Sequence, residues 1–250
     1  MISISAFKAF PEIPELAFQN NLKLEFSGLV EPIIYSEELI KSINESKYHS
    51  LYNSAHGPFF DLIPPSNDIE VSELAKTKFN RAIKASEQLK INNIILHTGW
   101  IPNFYTDDKW INNSIKFWSN IITNSPENIT ICLENVMERS PTLINEIITG
   151  VNNERFSACL DIGHVNVFNN GKIIDWLITL NTKIKHIHLH NNYGIEDNHN
   201  GLNKGNINFE DVYTNIKTYC PEATINLEIR SDIIESINII QNIEKKLSNN

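Results

Sequence analysis

Short runs of β-forming residues alternate with helix-patterned runs along the whole 250-residue chain. The β-type runs fall at 2–7, 23–27, 50–56, 93–97, 129–135, 156–162, 184–190 and 224–229. The clearest helical patterns follow them at 70–89, 110–122, 141–148, 173–180, 209–219 and 231–247. Within 70–89, Leu74, Ala75, Phe79, Ala82, Ile83 and Leu89 recur near a 3.6-residue period. Ser140-Pro141 and Ser231-Asp232 read as helix starts. Eight strand-helix units in 250 residues allow about 31 residues each, the size of a compact (β/α)8 or TIM barrel. The rival, a doubly wound open sheet, usually carries a glycine-rich turn after its first strand, and Phe7-Lys8-Ala9-Phe10-Pro11 has none. No linker or low-complexity block interrupts the pattern, so residues 1–250 read as one barrel domain.

Composition narrows the function classes. Asp and Glu total 30 against 21 Lys and Arg, a net charge of −9. A large nucleic-acid footprint normally needs a basic patch, so nucleic acid is a possible partner but not the favoured one. No apolar run approaches the ~20 residues of a membrane helix. The Met1-Ile2-Ser3-Ile4-Ser5-Ala6-Phe7 start lacks a signal peptide's basic flank and cleavage site, which sets a cytoplasmic expectation. Three cysteines, Cys132, Cys159 and Cys220, form no CxxC pair and read as buried core thiols.

The histidines carry more. His56, His97, His164, His186, His188, His190 and His199 lie at predicted strand ends or in the loops just after them; His49 does not. Glu134, Asp161 and Glu228 end the fifth, sixth and eighth strands, and Asp197 follows the seventh. In an α/β barrel those ends share one face, where active sites form. Imidazoles and carboxylates are the ligand set of zinc, manganese and iron, and an acid-rich barrel mouth poor in Lys and Arg needs cations. His186, His188 and His190, spaced two apart, share one strand face, and periodicity does not choose among them. His186, deepest in the strand, is the first candidate for a structural role.

These residues resemble a family. His56-Gly57-Pro58-Phe59-Phe60, Leu96-His97-Thr98-Gly99, Leu133-Glu134-Asn135, Leu160-Asp161-Ile162-Gly163-His164, His188-Leu189-His190-Asn191, Asp197-Asn198-His199 and Leu227-Glu228 are similar, in order, to the strand ends of the xylose isomerase-like barrels. That superfamily includes endonuclease IV and sugar isomerases and epimerases. The resemblance makes His188 the seventh-strand ligand. The epimerase pattern implies one ion held by Glu134, Asp161, His188 and Glu228. The endonuclease IV pattern implies three zinc ions. The first would sit on His56, His97 and Glu134, the second on Glu134, Asp161, His188 and Glu228, and the third on His164, Asp197 and His199. The chain departs from the pattern at Leu202-Asn203-Lys204-Gly205, where Leu-Gly-x-Gly is common, and at His190-Asn191, where Asn-Asp is usual. Asn203 is tolerant of the left-handed turn such a loop would need.

Two chemistries follow. The complete nine-residue set implies hydrolysis of a phosphodiester or phosphate ester by metal-activated hydroxide, with Glu134 and Glu228 holding metal and orienting the nucleophile. The alternative is a sugar or sugar-phosphate isomerase or epimerase using one Mn or Mg ion, with Glu134 and Glu228 as acid and base. Phe59, Phe60 and Trp100 are candidate walls of a small-molecule pocket, joined by Tyr105 and Trp110, although Trp110 and Trp118 are safer as core. Lys204 and Arg230 are candidate phosphate contacts.

Overall fold

The computed structural model describes residues 1–30, 37–169 and 172–248. Eight parallel strands close into a barrel in sequence order. They are β1 Ile2–Ala6, β2 Lys23–Phe26, β3 Tyr52–His56, β4 Asn93–His97, β5 Thr130–Glu134, β6 Phe156–Asp161, β7 Ile184–Leu189 and β8 Thr224–Leu227. The seam closes where Ile2 and Ile4 of β1 pair with Ile225 and Leu227 of β8. The helices are α1 Ile13–Gln19, α2 Glu37–Asn44, α3 Ile69–Gln88, α4 Asp107–Asn124, α5 Pro141–Val151, α6 Ile162–Phe168, α7 Ile173–Leu180, α8 Phe209–Tyr219 and α9 Ile233–Ser248. Among the described residues no helix is long and apolar enough to cross a membrane.

Local chemistry accounts for the boundaries. Ser140 caps α5 by accepting from Thr142 N, with Pro141 behind it, as the sequence implies. Asp68 caps α3 and Asn208 caps α8 in the same way. Between β6 and 173–180 the sequence pattern shows no helix, yet α6 begins at once. Its cap is Asp161, whose carboxylate accepts from His164 N at 2.7 Å. Its seven residues are too few for a periodic signature. All the predicted strands but 93–97 overrun by one or two residues: Phe7, Ser27, Ser50, Leu51, Ile129, Asn135, Ile162, His190, Glu228 and Ile229 fall outside the observed strands.

Alternation along the strands separates two interiors. The isoleucines of β1 join the main apolar core between barrel and helices, with Trp118 and Trp176 buried there beside Phe79 and Phe156. Ser3 and Ser5 point the other way, into a polar barrel lumen. TIM barrels usually fill that space with bulky branched residues. Here Ile95, Cys132 and Cys159 form a small separate apolar cluster, and the remainder is a hydrogen-bonded network around Glu25. The three cysteines are free and buried, as expected.

Register then sets the mouth. His97 pairs with Glu134 across β4 and β5, and Asp161 pairs with His188 across β6 and β7. Outside the barrel, Arg155 closes α4 by donating to Ile122 O at 2.8 Å, Pro126 O at 2.8 Å and Ile129 O at 3.1 Å. Arg155→Ala should lower stability by about 2 kcal/mol, because those carbonyls lose a charged donor. Urea unfolding should show a lower midpoint at unchanged slope.

Candidate metal centre

Imidazoles and carboxylates gather in three groups at the C-terminal end of the barrel, and Glu25, His186 and His188 form a further group below them. In the first, His56 Nε2 lies 3.2 Å from His97 Nε2 and 3.2 Å from Glu134 Oε2, and His97 Nε2 lies 3.3 Å from the same oxygen. In the second, His188 Nδ1 faces Glu228 Oε2 at 3.0 Å, Glu134 Oε1 at 3.3 Å and Asp161 Oδ2 at 3.8 Å. In the third, Asp197 Oδ2 lies 3.3 Å from His164 Nε2 and 3.1 Å from His199 Nε2. Ligand atoms around a tetrahedral ion with bonds near 2.1 Å stand roughly 3.4 Å apart, so these spacings fit a metal without rearrangement.

The proton positions fit one too. His56, His164 and His199 each turn Nδ1 to a main-chain carbonyl, of Gly57 at 2.9 Å, Asn135 at 2.8 Å and Glu228 at 2.9 Å. An Nδ1–H donated there leaves a lone pair on Nε2, and each Nε2 faces a carboxylate oxygen. Two acceptors in opposition require a cation between them. The backbone carbonyl that orients a ligating histidine's far nitrogen is a common feature of metal sites. In the second cluster the ring is reversed. His188 Nε2 lies 3.2 Å from Glu25 Oε1, so Nδ1 is the free nitrogen.

Glu25, from the middle of β2, is fully buried. It accepts from Ser5 Oγ at 3.3 Å, Ser54 Oγ at 2.9 Å and Asn226 Nδ2 at 3.1 Å, and pairs with His186 Nε2 at 2.9 Å. His186 is thus part of the network below the mouth, and its ligand-type atoms lie within 4.8 Å of those of Glu25 and His188.

Electrostatics without metal reports the same demand for positive charge. Burial pushes Glu134 up, but the charges of His97 and His188 outweigh it and hold this carboxyl well below the usual range. Asp161, opposed by burial and drawn down by His164 and His190, falls to about 2. Burial opposes protonation of His56, yet Glu134 raises it to about 9. Burial likewise opposes His199, and Glu228 and Asp197 raise it to about 9. His164 and His188 rise well above the ordinary imidazole value despite burial, driven chiefly by Asp161 for the former and by Cys159 and Glu25 for the latter.

His199 adopts a left-handed backbone, φ +49°, which for a non-glycine residue costs about 1 kcal/mol. Arg230 N bonds its carbonyl at 2.8 Å and holds the turn. Asn203, the residue tolerant of such a turn, is not among the positive-φ positions.

All nine sequence-predicted ligands therefore converge. The other candidates divide. Phe59 stacks on His97 at 4.4 Å and Phe60 lies beside it, 59% exposed, so both edge the first cluster. Trp100 is buried and packs on Trp110 at 5.1 Å. Lys204 pairs with Asp232 at 2.8 Å, and the Arg230 guanidinium lies 5.6 Å over Phe7. Sequence reasoning passed over Glu25, His190 as a site residue, and Glu138. Glu138 is a buried carboxyl that accepts from Thr98 and, at 2.6 Å, from Val136 N, with its pKa raised by burial.

A family profile described as Xylose isomerase-like TIM barrel matches residues 25–245. The chain belongs to that family. The uncharacterized protein MJ1311 of Methanocaldococcus jannaschii is 28% identical over 198 residues, covering 74% of this chain and 68% of the relative. A D-tagatose 3-epimerase-like protein superposes with a TM-score of 0.82 at 24% identity, covering 99% and 98% of the two chains. The TTHB071 protein of Thermus thermophilus, from a crystal soaked in zinc chloride, gives 0.83 at 21% identity, covering 98% of each. A D-psicose 3-epimerase gives 0.74 at 17% identity, covering 95% and 89%. At these identities the structures share the fold.

Two outcomes follow. In the metal-free protein His56 and His199 bind protons more tightly folded than unfolded. Their pairs stabilise fully below about pH 6.5 and fade as the pH rises through about 9. Calorimetric melting temperature should therefore fall from about pH 6.5 to about 9.5 without metal. Added zinc should reverse the trend, since it needs neutral imidazoles; a flat metal-free profile would contradict the pairing. Second, Glu25→Gln should weaken the most tightly coupled ion roughly 10–100-fold, the usual effect of losing an orienting partner, measured by competition with a chromogenic chelator.

Proposed function

We propose that the protein is a divalent-metal-dependent isomerase or epimerase of a sugar or sugar phosphate, acting at Glu134, Asp161, His188 and Glu228. The observation that carries this reading is the pair of glutamates from β5 and the end of β8, both reaching His188 Nδ1, at 3.3 and 3.0 Å. The sugar epimerases among its structural relatives favour it over the hydrolase reading. A metal bound by these four residues would polarise a substrate carbonyl and acidify the adjacent C–H bond.

Two carboxylates beside one metal position supply the groups that proton exchange requires. Both are held below the usual carboxylate value, Glu134 the further, so each is ionised and able to accept a proton from carbon. Burial and the negative charge of Glu134 both push Glu228 up, against the pull of His188 and His199, so its net lowering is smaller. The carboxylate that takes the proton is then the acid that returns one to the substrate. The net change is a rearrangement, with no oxidant or co-substrate. Phe59 and Phe60, beside His97, form an apolar edge on which a sugar ring can lie.

A second reading, hydrolysis of a phosphate ester or phosphodiester, is favoured by one observation: the first and third clusters hold their nitrogens and oxygens 3.1–3.3 Å apart, close to the spacing in the second. A metal-loaded preparation incubated with ketoses and ketose phosphates in deuterated water separates the two. Exchange of a carbon-bound proton is expected, reduced about 10²–10⁴-fold in Glu228→Gln at saturating metal. No exchange with any ketose, together with cleavage of a nitrophenyl phosphodiester that disappears in His97→Ala, would decide for hydrolysis.

A further inference from the structure

His190 has no assigned role among the nine ligand positions, yet it is wholly buried and neither ring nitrogen finds a hydrogen-bond partner. A buried polar group left without a partner calls for a cause. Its Nε2 lies 3.4 Å from Asp197 Oδ1 and 3.2 Å from Asp161 Oδ1, out of line for an N–H bond. Its ring lies nearly flat on that of His199, with centroids 4.1 Å apart and planes 19° apart. The ligating atoms of His164, His190, Asp197 and His199 all lie within 4.8 Å of one another. The backbone makes room for this ring. A Cβ at Gly163 would stand 1.9 Å from His190 Cε1.

We infer that His190 Nε2 is a fourth protein ligand of the third centre, which closes that centre around a zinc-class ion. The inference rests on the mouth being a metal site, and not on which reaction occurs there. The third ion then has four protein ligands, as many as the centre of Glu134, Asp161, His188 and Glu228. It ties the end of β7, through His190, and the following loop, through Asp197 and His199, to His164 on α6.

The test uses full-length protein purified without a histidine tag and loaded with Co²⁺. Ions per chain are counted after dialysis against a graded chelator, and the cobalt absorption spectrum is recorded, with circular dichroism checking the fold. His190→Asn should release one ion at a chelator concentration at least about tenfold lower, the least expected from loss of a direct ligand. The intense absorption of four-coordinate cobalt should weaken with it. His199→Ala should release the same ion. If His190→Asn does not fold, His190→Phe, which keeps a ring on His199, carries the same comparison. A folded His190 variant with unchanged ion count, chelator resistance and spectrum, while His199→Ala loses an ion, overturns the fourth ligand alone. No bound ion in the unsubstituted protein, or none lost in His199→Ala, overturns the metal reading and the inference with it.

Discussion

Negative charge buried at the mouth of the closed barrel is the constraint on which the remainder depends. Glu134, Asp161 and Glu228 converge on one imidazole nitrogen, and Glu25 lies directly beneath it. Two like charges about 4 Å apart at an effective dielectric near 20 oppose each other by about 4 kcal/mol. Such a group survives burial only with cations among its members. His56, His164, His188 and His199 supply positive charge as protons when metal is absent, and free lone pairs when it is present. The main-chain carbonyls that fix His56, His164 and His199 serve both states.

That constraint explains the polar lumen. A barrel filled with branched apolar side chains would hold its shape but could not carry Glu25. Serines on β1 and β3, Asn226 on β8 and His186 on β7 give Glu25 a partner on each side, and a satisfied network of this kind is rigid. The rigidity passes upward through one bond, from Glu25 to His188 Nε2, and decides which nitrogen of His188 faces the mouth. Apolar packing is moved outside, between strands and helices, where the tryptophans lie. The backbone strain at His199 belongs to the same design, since its left-handed turn brings Nε2 back to Asp197.

Much of the site was legible because a (β/α)8 barrel gathers strand ends on one face. His56, His97, Glu134, Asp161 and Glu228 needed only the strand pattern to be brought together, and Asp161 to His164 is one capped turn. Glu25 was not legible. In Lys-Leu-Glu-Phe it reads as an outward acid on a short strand, and only the closed lumen shows what surrounds it. Trp100 looked like a pocket wall because aromatics follow strand β4, but a large apolar ring gains more against Trp110. Lys204 found Asp232, nearer than any substrate.

The sequence alone determined the architecture and most of the candidate ligand residues, because strand-helix alternation and the positions of His, Asp and Glu are local properties of the chain. Tertiary structure decided which nitrogen each histidine presents, the role of Glu25 and the place of His190. His186, His188 and His190 share one face by spacing, and nothing local separates them. They differ in depth: His186 meets Glu25 in the lumen, His188 lies between Glu25 and Glu134, and His190 packs into the space beside Gly163. A histidine's role follows from the charges and lone pairs opposite its two nitrogens, and those come from strands far away in sequence.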